Sequence, residues 1–129
     1  MSNDKQKAPL GDLTDVEWCI MKVLWEHEPC TAGTVQEILQ DEKNWAYSTI
    51  KTTMDRMVKK GLLKIRRLRN LQLFSSTINQ TAARKGEFRR MLSRAFDGAI
   101  GPLMEHLIEN EPLSEEDITR LRALVEKHK

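Results

Sequence analysis

At Gly61 the spacing of apolar residues in this 129-residue chain changes period. Before it, Ile50, Met54, Met57 and Val58 recur at i, i+4, i+7 and i+8, the stripe of a helix running from about Tyr47 to Lys60. After it, Leu63 and Ile65, then Leu71 and Leu73, alternate with polar residues on either side of the segment Arg67 to Asn70. That is the pattern of an antiparallel hairpin with a basic tip. Gly61 falls where a left-handed helix terminator belongs. A helix that stops on a glycine and passes directly into a hairpin admits few folds.

The upstream residues narrow the choice. Thr14-Asp15-Val16-Glu17 has the form of a capping box. Val16, Ile20, Val23 and Leu24, with Met21 and Trp25 beside them, carry a first helix to about Glu26, and Pro29 ends it. Thr31 caps a shorter second helix with Val35, Ile38 and Leu39 inside, and a polar loop from Asp41 to Asn44 leads to Trp45. Three short helices followed by a hairpin predict a mainly α fold with a small β-hairpin: a winged helix-turn-helix domain over residues 13–79, preceded by a flexible polar tail at 1–12. From about Thr81 the chain is helical again. Phe88, Met91, Leu92, Ala95 and Phe96 form one stripe and Leu103 to Ile108 a second, between Gly98, Gly101, Pro102 and Pro112. Ser114-Glu115-Glu116-Asp117 starts a last helix with Ile118, Leu121, Leu124 and Val125 inside. These stripes follow a domain that is already complete, so a second copy of the chain is the best cover for them. Residues 80–129 are expected to form a homodimer interface, with Phe88, Met91, Leu92, Phe96, Leu103, Leu107, Ile118, Leu121, Leu124 and Val125 as its contacts.

Charge locates the functional surface. Ser48 to Asn70 holds eight bases (Lys51, Arg56, Lys59, Lys60, Lys64, Arg66, Arg67, Arg69) against one acid, Asp55, a net +7 in a chain of net +2. A basic patch confined to one helix and its hairpin is the electrostatic footprint of a protein that binds duplex DNA. The major groove admits one helix, whose N-terminal part lies deepest in a helix-turn-helix. That places Ser48, Thr49, Lys51 and Thr52 nearest the bases or the adjoining phosphates, with Arg56 and Lys59 one and two turns further along at the phosphates; Tyr47, at the start of the helix, is a further DNA-contact candidate. Arg66, Arg67, Arg69 and Asn70 on the hairpin would enter a minor groove or grip the flanking backbone. Trp45, just before the helix, has an indole N–H that would reach a phosphate. An isolated surface Lys or Arg is more often solvated than in contact; it is the combination with the winged-helix order that favours DNA.

Other chemistry finds little support. Cys19 and Cys30 have no second pair at metal-site spacing, and Pro29 spoils a helical placement of His27 beside Cys30. No metal or cofactor is expected, and the two thiols are expected to be inert and reduced. Trp18, Trp25 and Trp45 read as packing residues rather than base-stacking platforms, and the methionines as core. There is no nucleophile elbow, phosphate loop or pair of carboxylates, so the chain is not expected to be an enzyme. No apolar run approaches the roughly 20 residues of a membrane span, and the N-terminus lacks a signal-peptide core, which together predict a cytoplasmic protein without membrane insertion. Two rival classes remain: a winged-helix module whose basic face binds an acidic protein, and a redox- or metal-responsive regulator. The Ser/Thr side of the third helix, next to a charged wing, suits groove insertion better than a protein interface.

The chain resembles the penicillinase-repressor family, the repressors of beta-lactamase and methicillin-resistance operons, with a copper-transport branch. The likeness is carried by Leu13-Thr14, Glu17, Ile20-Met21 and Leu24-Trp25, by Val35, Glu37-Ile38 and Trp45, and by Ser48-Thr49-Ile50, Thr52, Met54, Arg56 and Lys59-Lys60-Gly61. It continues more loosely through Phe96-Asp97-Gly98 and Leu113 to Glu116. The resemblance implies a cytoplasmic homodimeric repressor whose winged helices bind a palindromic double-stranded DNA operator. In several members a membrane sensor-protease relieves repression by triggering cleavage of an Asn-Phe bond; the corresponding pair here is His106-Leu107. Arg69-Asn70 stands where many members have Gly-Arg, and Leu71 to Phe74 lack the usual pair of tyrosines. The chain also ends without the cysteine motifs of the copper branch.

Overall fold

The computed structural model describes residues 13–129, so the polar tail expected at 1–12 lies outside the described residues. Eight elements follow in order: α1 (Asp15–His27), α2 (Ala32–Lys43), α3 (Tyr47–Lys59), β1 (Leu63–Leu68), β2 (Leu71–Ser76), α4 (Gln80–Phe96), α5 (Ile100–Asn110) and α6 (Glu115–Lys127). Three helices, a two-stranded antiparallel sheet and three further helices reproduce the expected order.

Each boundary has a local cause. The Thr14 hydroxyl accepts from the Glu17 N–H at 3.1 Å, and the Glu17 carboxylate accepts from the Thr14 N–H at 2.9 Å, which closes the capping box on α1. Thr31 caps α2 by accepting from the Thr34 N–H at 3.1 Å, and Asn44 ends that helix in the left-handed region at φ 53°. The third helix starts without a side-chain cap at Ala46. It ends just before Gly61, whose φ of 85° is the conformation for which a glycine is suited.

The chain divides within α4 into two compact units, Met1–Glu87 and Phe88–Lys129. In the first, α1, α2, α3 and β2 surround one core built on Ile20, Met21, Leu24, Val35, Ile50, Met54, Met57 and Phe74, all with no exposed surface. Phe74 is the piece the alternation did not anticipate. In the observed register Leu63 faces Ser76 and Ile65 faces Phe74, so Leu71 and Leu73 lie on the opposite face from the buried pair Leu63 and Phe74. The reason lies in the loop after α1. Cys30 forms an isolated antiparallel bridge with Phe74 through two backbone hydrogen bonds of 3.2 and 2.8 Å, which ties β2 to the loop after α1. Glu28 assists by accepting from the Ser76 N–H at 2.6 Å and the Ser76 hydroxyl at 3.0 Å, which satisfies a buried polar residue.

Two smaller departures concern α2 and α3. Ile38, expected inside α2, is 41% exposed, while Val35 and Leu39 are buried. On α3 the buried fourth position is Thr53, whose hydroxyl donates to the Thr49 carbonyl at 2.8 Å; Val58 is half-buried. Residues just after β2 tie the hairpin down. The Trp25 indole donates to the Ile78 carbonyl at 2.9 Å and meets Trp18 edge-on at 6.1 Å. Ala83, in the first turn of α4, belongs to the same core, so the first unit continues past the boundary at 79 read from the sequence.

The second unit is different in kind. A capping box of Ser114 and Asp117 starts α6 (3.0 and 3.3 Å), and the Phe96 ring meets His106 edge-on at 5.9 Å. No residue of α5 or α6 is buried. Ile100, Met104 and Ile108 on α5, and Ile118, Leu124 and Val125 on α6, are all exposed.

Candidate nucleic-acid interface

The exposed face of α3 holds Tyr47, Ser48, Thr49, Thr52, Arg56 and Lys59, while Ile50, Thr53, Met54 and Met57 turn into the core. One helix thus carries two unlike surfaces. Its buried stripe fixes it against α1 and α2 and leaves short polar side chains such as Ser48 and Thr52 exposed on the opposite face. Because no side chain occupies the N-cap, the first backbone N–H groups of α3 are left for other acceptors.

The eight bases of the patch are not equivalent. Lys51 is held by Asp55 one turn later, at 2.8 and 3.0 Å, and is only half-exposed. Lys60 turns back to Glu17, placing its ammonium 2.6 Å from a carboxylate that is 3% exposed. Glu17 therefore spans two jobs: it closes the cap of α1 and ties the C-terminal end of α3 to that cap. Among the described residues no ion pair engages Arg56, Lys59, Lys64, Arg66, Arg67 or Arg69. These six are the charges free to meet phosphate.

On the wing, strand alternation separates Arg66 from Arg67. Arg67 pairs with Gln72 on the face shared by Leu63 and Phe74, and Arg66 pairs with Leu73 on the other. Arg69 and Asn70 form the two-residue turn, with Arg69 at φ 58°, in the region where glycine or asparagine is favoured. The wing residues expected to act together are therefore spread over two faces and a tip. A groove between the wing and α3 is lined by Tyr47 and Lys51 on one side and Asn70, Leu71 and Gln72 on the other, with Thr31, Ala32 and Phe74 at its floor. That groove brings the wing tip alongside the N-terminal half of the helix.

Trp45 is half-buried against the core, with the Lys43 ammonium 5.8 Å from its ring centre, and its carbonyl accepts from the Gln36 side chain at 3.2 Å. It stations the start of α3. Cys30 is buried, and its thiol is pushed above its ordinary pKa by desolvation, assisted by the negative charge of Glu28. Such a thiol is a poor nucleophile. Both cysteines are unpaired, and the described residues contain no group of three or more potential metal ligands. No helix among the described residues is long and apolar enough to cross a membrane.

Of the residues expected at a dimer interface, Phe88, Ile118, Leu124 and Val125 are exposed, and Met91, Phe96, Leu103, Leu107 and Leu121 are half-buried. Leu92 departs from them. At 3% exposure within a single chain it has no surface left to offer a partner.

Several known proteins are similar to this chain in sequence and fold. The penicillinase repressor of Bacillus licheniformis is 27% identical over 120 residues, covering 93% of this chain and 94% of that one. The methicillin resistance regulatory protein MecI of Staphylococcus aureus (strain N315) is 23% identical over 116 residues, covering 90% of this chain and 94% of that one. Among solved structures, the DNA-binding domain of the repressor BlaI superposes with a TM-score of 0.51 at 26% identity, over 57% of this chain and 89% of that one. The monomeric form of Bacillus licheniformis BlaI in complex with the blaP half-operator superposes with a TM-score of 0.50 at 26% identity, again over 57% and 89%. Residues 13–127 match the family model described as penicillinase repressor, and the chain belongs to that family.

Proposed function

We propose that this protein is a sequence-specific transcriptional repressor that binds a palindromic operator as a homodimer in the cytoplasm. One observation carries the reading: α3 presents Tyr47, Ser48, Thr49 and Thr52 on a rigid exposed face, with Arg56 and Lys59 further along it and the basic wing beside its N-terminal half. Short polar groups discriminate bases, and the flanking guanidinium and ammonium groups supply affinity by displacing counterions from phosphate. A second copy doubles the contact and imposes two-fold symmetry on the site. The exposed apolar rows of α5 and α6 are the surface best suited to join the copies. The solved complex of a family member with a half-operator supports the DNA assignment by likeness. A membrane sensor-protease is the partner that would relieve repression, and a gene for one beside this gene would support that release mechanism.

A gel-shift with the chain's own promoter region tests the reading. It predicts a retarded species at sub-micromolar protein that weakens steeply with salt and resists competition by scrambled duplex. Absence of a selective shift, with binding instead to an acidic protein partner, would replace the repressor with an interaction module.

A further inference from the structure

The wing ends in an apolar pair that the basic patch does not explain. Leu68 and Leu71 face each other as the last cross-strand pair before the turn, and they are 53% and 50% exposed. Cross-strand pairing thus leaves about half of each residue exposed, and an open apolar hairpin tip is a surface that proteins usually blunt with charge. They share one face of the wing with Arg66 and Lys64, and Arg69 sits in the turn between them. From Arg56 to Gly86 the sequence contains no Asp or Glu, so the whole tip is positive without local compensation.

Resting on the operator-binding reading above, we propose that Leu68 and Leu71 seat against the deoxyribose walls of the minor groove beside each half-site, so that the wing reads groove shape as well as gripping phosphate. Three observations select DNA as the occupant. The positive charge around the pair complements phosphate and opposes the docking of a second identical wing. Leu71 lines the same groove as Tyr47 and Lys51, which sets this member of the pair beside the reading helix, with Leu68 as its cross-strand partner. The tip is two residues wide, and the minor groove, about 6 Å across and walled by sugar C–H groups, accepts a narrow apolar wedge.

The test uses the full chain, a duplex carrying its own promoter region and the variant Leu68→Thr/Leu71→Thr, which keeps strand preference while removing most of the apolar surface. Hydroxyl-radical footprinting reads deoxyribose hydrogens directly. The intact protein should protect a short sugar run flanking each major-groove contact. The variant should lose that protection, bind roughly tenfold more weakly and keep the same slope of affinity against salt, because no phosphate contact is removed. Leu68→Ile/Leu71→Val should restore both protection and affinity. Equal protection and affinity in the threonine variant would overturn the inference, as would a reduced salt slope, which would mean that the variant had displaced the arginines. Sedimentation adds a third contrary outcome: if the variant lowers self-association and leaves DNA binding intact, the pair docks a second copy. A wild-type protein that gives no selective footprint removes the operator reading itself; a wild-type footprint with an unaffected variant removes only the role of the wing tip.

Discussion

The two units of this chain solve the same problem in opposite ways. All of the clustered buried core lies between Ile20 and Ala83, where three helices and a hairpin close on Phe74, Met54 and Leu24. In the second unit α5 and α6 hold no fully buried residue: Leu103, Leu107 and Leu121 are half-buried, and Ile100, Met104, Ile108, Ile118, Leu124 and Val125 are exposed. A segment that keeps regular helices while leaving apolar side chains exposed offers a surface suited to a partner, whereas the first unit closes its core within one chain. The proposed function assigns recognition to the self-sufficient unit and assembly to the dependent one.

Substitutions should expose that contrast, beginning with the most severe. Phe74→Ala removes the largest fully buried side chain of the first unit and should cost about 3–5 kcal/mol, read by denaturant unfolding at any protein concentration. A loss that varied with concentration would mean that the first unit also depends on assembly. Leu124→Glu/Val125→Glu places charge on the exposed row of α6 and should weaken dimerisation at least a hundredfold by sedimentation, with the unfolding of the first unit unchanged. If the dimer survives, some other surface joins the copies. Glu17→Ala removes half a capping box and the partner of Lys60, so a loss of about 2 kcal/mol is expected from the cap and the charged hydrogen bond together. Smaller still are the contact residues. Arg67→Ala should weaken specific and scrambled DNA alike and lower the salt slope by about one, whereas Thr52→Ala should reduce discrimination more than total binding, by about 1 kcal/mol. Reversed behaviour of this last pair would exchange the roles given to helix and wing.

Much of the architecture was legible because it is written locally. Thr14 with Glu17, Thr31, Gly61 and Ser114 with Asp117 are signals whose physics acts within four residues, and each marks the end it was expected to mark. What escaped depends on distant partners. Leu71-Gln72-Leu73-Phe74 reads as a strand in either phase, and it is the bridge from Cys30, 44 residues away in sequence, that ties β2 to the loop after α1 with Phe74 buried. The Lys60–Glu17 ion pair joins residues 43 apart and removes one charge from the patch. The pairing of Lys51 with Asp55 lies at i, i+4 and was open to inspection in the sequence. For the same reason the wing reads as one basic block in sequence, and only the strand register separates Arg66 from Arg67.

The division between a reading unit and an assembling unit is tested most directly by titrating a duplex of the chain's own promoter region with the intact protein and with a chain ended at Glu87. Both chains should select this duplex over a scrambled one. The intact protein should bind as two protomers with an advantage on the order of a hundredfold or more from linkage of the two sites, and the shortened chain as independent monomers. Equal affinity and stoichiometry for the two chains, or loss of all selectivity in the shortened one, would contradict it.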